Sequence, residues 1–349
     1  MIDFRYHLVS IVAVFLALAI GIVLGSTELQ GHTIDVLRSS SNSLNSKLNA
    51  ADALRATNEQ EISDDQQFLQ TAEPKLLDGA LAGDRVVIIT EPGAPDSVTS
   101  GVKQAAGIAG ATVTGTVALQ PKFNDLSGTN QSSLSQINGD LAATDLTTLA
   151  PAADSQTAYQ QQAAQLIASA ILDTKAAASA GGLSVADAQT LLSAYAQQGY
   201  LTVSGAVTTR ATLAVIVTPQ TAPTDGPNDP ANQVLLALAQ QFANASAAAI
   251  VVGSTAGSAT SGSAISVLRS SSVSSQVSSV DNADTTLGQI SSIWALAEQN
   301  AGEKPNSYGI TGASAVSPVP LPEASATPTI TPTPRPTAKG KGTKSVKKK

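Results

Sequence analysis

Residues 8–24 read LVSIVAVFLALAIGIVL, an apolar run broken only by Ser10. At about 1.5 Å of rise per residue, a helix of this length nearly crosses a hydrocarbon core about 30 Å thick. The run predicts one transmembrane helix over residues 8–25, with the lipid bilayer as its partner. A cleaved signal peptide has a shorter apolar stretch of about 7–15 residues, and the GSTELQG that follows is a poor small-x-small cleavage site. The segment is therefore read as a signal anchor. Arg5 precedes it, and Glu28 and Asp35 are the first charges beyond it. This bias places residues 1–7 in the cytoplasm and the bulk of the chain outside, in the cell envelope, as a single-pass cell-membrane protein.

Ala13, Ala17, Gly21 and Gly25 recur every fourth residue on one face of that helix. Small residues at this spacing let two helix backbones approach closely, so the ladder predicts a transmembrane dimer face and a homodimer. The competing reading is that small residues are simply abundant in this chain. From residue 33 to residue 70 there is neither Gly nor Pro, and Ile34, Leu37, Leu44, Leu48, Ala51, Leu54, Ile62 and Leu69 fall near a heptad seam. A helical stalk over residues 33–72 follows. Ser41, Arg55 and Asn58 interrupt the seam. Two arrangements fit it: a two-stranded coiled coil, or an amphipathic helix lying on its own domain.

Residues 80–312 carry the pattern of an extracytoplasmic α/β domain. Strands are expected at 86–90, 112–119, 200–203, 211–218 and 247–252, and helices at 96–108, 155–172, 184–198, 232–244 and 285–301. Strand and helix signals in alternation imply a mostly parallel sheet with flanking helices. Residues 313–349 alternate Pro and Thr and end in lysines, with no apolar period, and read as a disordered tail. The formal net charge is −7, yet residues 323–349 hold six Lys and Arg335 against Glu323, leaving the body acidic. A nucleic-acid partner is thereby excluded for the folded part. The Lys-rich tail suits an anionic envelope polymer, or serves only to solubilise.

Chemistry is constrained by what is missing. The chain has no Cys, a single Met at position 1, and two histidines, His7 and His32, both beside the apolar run. No Ser/His/Asp triad, thiolate site or zinc site can be assembled in the body, and soft or imidazole ligands for tight copper binding are too few. The expectation is a noncatalytic chain with no catalytic residue, no cofactor and no metal site. The enzyme reading left open is a carboxylate-only glycan hydrolase. Its candidates are Glu91 and Asp96 after the first strand, Asp225 and Asp229 in PTDGPNDP, and the cluster Asp281, Asn282 and Asp284. That cluster is a candidate binding edge, with Asp284 placed to cap the last helix. Gly253, Gly257 and Gly262 follow a strand where backbone N–H groups can meet an anion, though without the lysine or spacing of a P-loop.

Two distant segments, RYHLVSIVAVFLALAIGIVLGS and SSVDNADTTLGQISSIWAL, together resemble the actinobacterial envelope family named for the mycobacterial copper transport protein MctB. GDRVVIITEPGAPD, GYLTV, VVGSTAGS and SYGITGAS add to the likeness, which covers residues 1–314. The resemblance implies an envelope protein with a signal-anchor helix and a role in copper efflux and copper homeostasis. The family is also associated with cell separation, which implies the alternative of a dimeric coiled-coil scaffold that regulates peptidoglycan hydrolysis through an envelope protein partner.

Overall fold

The computed structural model describes residues 4–142, 155–173, 183–207 and 209–318. They form two units, Met1–Leu76 and Leu77–Lys349. The first is one helix, α1 (Phe4–Leu76). Its backbone runs through residues 26–32, so the membrane segment and the expected stalk are one element. Within it, Arg5–Gly25 is long and apolar enough to cross a membrane. The seam residues Leu37, Leu44, Leu48, Leu54 and Ile62 are exposed in the single chain. A coiled coil is therefore not formed by this chain alone.

The second unit is built on a seven-stranded sheet of order β3-β2-β1-β4-β5-β6-β7. Its strands are β1 (Arg85–Thr90), β2 (Thr112–Leu119), β3 (Leu201–Gly205), β4 (Leu213–Val217), β5 (Ala248–Val252), β6 (Ser278–Val280) and β7 (Ser307–Tyr308). All neighbours pair in parallel except β2 and β3, which are antiparallel at one edge. RVVIIT, LAVIV and AAIVV are buried almost throughout, as expected for central parallel strands covered on both faces. The mostly parallel sheet predicted from sequence is present. β6 and β7 escaped prediction because three and two residues are too short to show a period of two.

The helices are α2 (Asp96–Ile108), α3 (Gly128–Ala142), α4 (Ala158–Ile171), α5 (Val185–Gln197), α6 (Pro230–Ala245), α7 (Thr255–Ser258), α8 (Ala264–Ser270) and α9 (Thr286–Asn300). α2 packs on α9 on one side of the sheet, and α4 packs on α5 and α6 on the other. The larger core lies on the second side, where Val87, Ile89, Val117, Ile216 and Val251 meet Leu166, Ile167, Leu238, Phe242 and Leu268. Two buried tyrosines tie the helical middle together. Tyr195 donates to Asn138 Oδ1 at 2.6 Å, and Tyr200 donates to Asn130 Oδ1 at 2.9 Å.

The chain stays ordered past the expected boundary at residue 313. Ala315 bridges to Tyr308, and Ser291 Oγ bonds Ser317 Oγ at 2.9 Å. The rest of the predicted tail, residues 319–349, lies outside the described residues.

Candidate functional site

In an open α/β sheet the crevice for a ligand forms past the carboxyl ends of the strands, where successive connections leave in opposite directions. Here β1 connects outward to β2 and β4 outward to β5, so the switch falls between β1 and β4. Continuing the register Thr90↔Val217↔Val252↔Val280 by one residue brings Glu91, Thr218, Gly253 and Asp281 into one row. The backbone confirms the alignment. Glu91 N–H donates to Val217 O at 3.0 Å, Thr218 N–H to Val252 O at 2.9 Å, and Gly253 N–H to Val280 O at 2.8 Å. Because side chains alternate along a strand, the row shares the face of Ile89, Ile216 and Val251, the larger-core face.

The two carboxylates of this row are treated differently. Asp281, 1% exposed, accepts from Arg269 Nη1 at 2.8 Å, from Ile310 N–H at 2.7 Å and from Thr311 N–H at 2.7 Å. Arg269 also donates to Ser279 Oγ at 2.9 Å and to Tyr308 O at 2.7 Å. The pair thus clips α8, β6, β7 and the following turn together. Glu91 is 3% exposed, and its Oε1 has no hydrogen-bond partner. Burial raises its carboxyl to about 8, so at neutral pH it is held as a neutral acid. Ser258 Oγ is also buried and unpartnered. A Cβ placed on Gly253 would sit 2.8 Å from Thr218 Oγ1, 2.9 Å from Ser258 Oγ and 3.0 Å from Ile265 Cγ1, so both hydroxyls and the Ile265 side chain pack closely against this glycine.

The remaining sequence candidates fall elsewhere. Asp284 does not cap the last helix. That cap is Thr285, whose hydroxyl accepts from Gly288 N–H, while Asp284 Oδ1 accepts from the N–H and hydroxyl of Thr255 at 2.8 and 2.9 Å. Asp284 therefore ties the loop after β6 to the start of α7. Asn282 is 1% exposed, and its carbonyl accepts from Thr285. Asp229 caps α6 by accepting from Ala231 N–H at 2.9 Å, and Asp96 and Asp225 are exposed. Gly257 N–H is taken by Ser254 Oγ and Gly253 N–H by β6, so these glycines serve packing and turns. Ala13, Ala17, Gly21 and Gly25 are all exposed on α1. Among the described residues there is no group of three or more His, Cys, Asp or Glu able to hold a metal ion.

Sequence reasoning missed Arg269, Thr218 and Ser258. Arg269 had a readable signal: it is the sole basic residue between Arg210 and Lys304, in a helix twelve positions before an aspartate on a strand end.

These features define a class: a membrane-length apolar helix followed by an open, mostly parallel α/β sheet with a buried polar row at its carboxyl edge. The chain belongs to the MctB family, described as copper transport outer membrane protein, which it matches over residues 1–320. It is 30% identical over 323 residues to the Copper transporter MctB of Mycobacterium tuberculosis (strain ATCC 25618 / H37Rv), covering 91% of this chain and 98% of the relative. The Copper transporter MctB of Mycobacterium leprae (strain TN) is 28% identical over 329 residues, at 91% and 99% coverage. Nothing in these comparisons supports the alternative scaffold reading.

Proposed function

We propose that this chain takes part in copper transport across the cell envelope. It acts as a noncatalytic single-pass protein, anchored in the cell membrane by residues 8–25 with its α/β domain outside the cytoplasm. The observation that carries this reading is the extent of the family match, which takes in the apolar helix and the whole sheet in one stretch. Hard oxygen groups and the absence of Cys leave the sheet domain without soft ligands, so copper is cargo passed along rather than a resident ion. The small-residue face of Ala13, Ala17, Gly21 and Gly25 supports a homodimer through the membrane helices. An envelope protein partner would complete the route, and the Lys-rich end suits an anionic envelope polymer.

The test is growth of a strain lacking the chain on graded copper. The full chain restores tolerance, and a chain without residues 5–25 does not. Equal tolerance with and without the full chain would contradict the reading.

A further inference from the structure

Glu91 is a buried acid without a counter-charge, in a place where the same row supplies one to Asp281. The two basic residues of the connections after β1 and β5 are placed elsewhere: Lys103 is exposed on α2, and Arg269 is paired with Asp281. Solvent does not reach it either, since Glu91, Thr218 and Ser258 are each no more than 3% exposed. A buried polar atom without a partner carries a cost that native folds rarely leave standing, and here two such atoms, Glu91 Oε1 and Ser258 Oγ, belong to one strand-end region. Thr218 lies next to Glu91 in the row, at the interstrand spacing of about 4.8 Å, and its hydroxyl and Ser258 Oγ both pack closely against Gly253. All of this falls at the switch between β1 and β4, where sheets of this kind hold ligands.

From this geometry we infer that the carboxyl edge of β1 and β4 binds one hard, oxygen-seeking cation, with Glu91 as its charged ligand and the Thr218 and Ser258 hydroxyls as neutral ones. The cation replaces the carboxyl proton and supplies the charge that Arg269 gives Asp281. Oxygen donors and a single carboxylate select ions such as Mg²⁺, Ca²⁺, Mn²⁺, Na⁺ or K⁺ over copper, so this site is separate from the transported metal. It locks the loops after β1, β4 and β5 to one another, and it stands or falls independently of the transport reading.

The experiment follows thermal unfolding of the full chain in detergent micelles against each chloride salt, at constant ionic strength. One cation should raise the midpoint hyperbolically with concentration, as a ligand of the folded state does. Glu91→Gln should abolish the rise, and Thr218→Val should weaken the apparent affinity tenfold or more. If Glu91→Gln fails to fold, the double change Thr218→Val with Ser258→Ala takes its place, read also through the paramagnetic resonance of bound Mn²⁺. The inference is overturned if no cation raises the midpoint of the native chain, or if the rise persists undiminished in these variants.

Discussion

Asp281 and Arg269 form a buried ion pair at 2.8 Å, with the carboxylate wholly enclosed and the guanidinium side chain 11% exposed. Both partners also bond the strand and turn of residues 307–311, and Arg269 Nε donates in addition to Ser279 Oγ on β6. The geometry explains why SSVDNADTTLGQ and SYGITGAS, distant in sequence, are two halves of one structural feature.

Removing one partner leaves the other charged and buried. Asp281→Asn or Arg269→Met should therefore lower stability by about 3–5 kcal/mol. Urea unfolding followed by circular dichroism would detect this as a lower midpoint, and an unchanged midpoint would refute the clip.

Two glycines are set by close approach. A Cβ on Gly288 would collide with the Asn282 carbonyl, and one on Gly309 with the Asp281 carboxylate, where φ is +122°. Gly288→Ala and Gly309→Ala should each cost about 1–3 kcal/mol. Gly107 in α2 has nothing within 4 Å of its Cβ position, so Gly107→Ala should be neutral or stabilise by up to about 1 kcal/mol. The same urea titration ranks all three.

Tyr195 and Asn138 exchange a buried hydrogen bond at 2.6 Å. Tyr195→Phe keeps the ring but orphans Asn138 Oδ1, at a cost of about 1–3 kcal/mol. Asn138 Nδ2 also donates to Tyr159 O at 2.9 Å, so the double-mutant cycle of Tyr195→Phe with Asn138→Leu, rather than the loss in the double variant alone, isolates the pair, and the two losses should be less than additive.

Glu91 sets a pH dependence with a definite sign. Its folded value of about 8 lies above the open-chain value of 4.5. Between them the unfolded chain has released a proton that the folded chain retains. This group's stabilising contribution is complete below about 4.5 and is lost as pH rises to about 8. In chelator-treated, salt-matched buffer, Glu91→Gln should gain stability over the native chain across that window, on the order of 4 kcal/mol at its upper end. A constant difference between the two would contradict the buried-acid account.

Much of the architecture was legible because its signals are local. Residues 96–108 and 112–119 coincide with α2 and β2 to the residue, since Pro95, Gly110 and Gln120 punctuate apolar runs of clear period. The candidate site was less legible. Glu91 and Asp281 stood out as carboxylates after strands, and Arg269 could be matched to Asp281 by its isolation, but no local signal says that Glu91 is buried with no basic side chain paired to it. That distinction depends on the register of four parallel strands spread over nearly two hundred residues. The capping assignment to Asp284 failed for a local reason: Thr285 competes for the same role one residue later, and Thr255 draws Asp284 away.

The most direct measurement of the proposed copper transport across the cell envelope is the efflux of ⁶⁴Cu from preloaded cells. Cells lacking the chain should retain the isotope longer, and the full chain should restore efflux where a chain without residues 5–25 does not. Identical efflux in the presence and absence of the full chain would contradict the account.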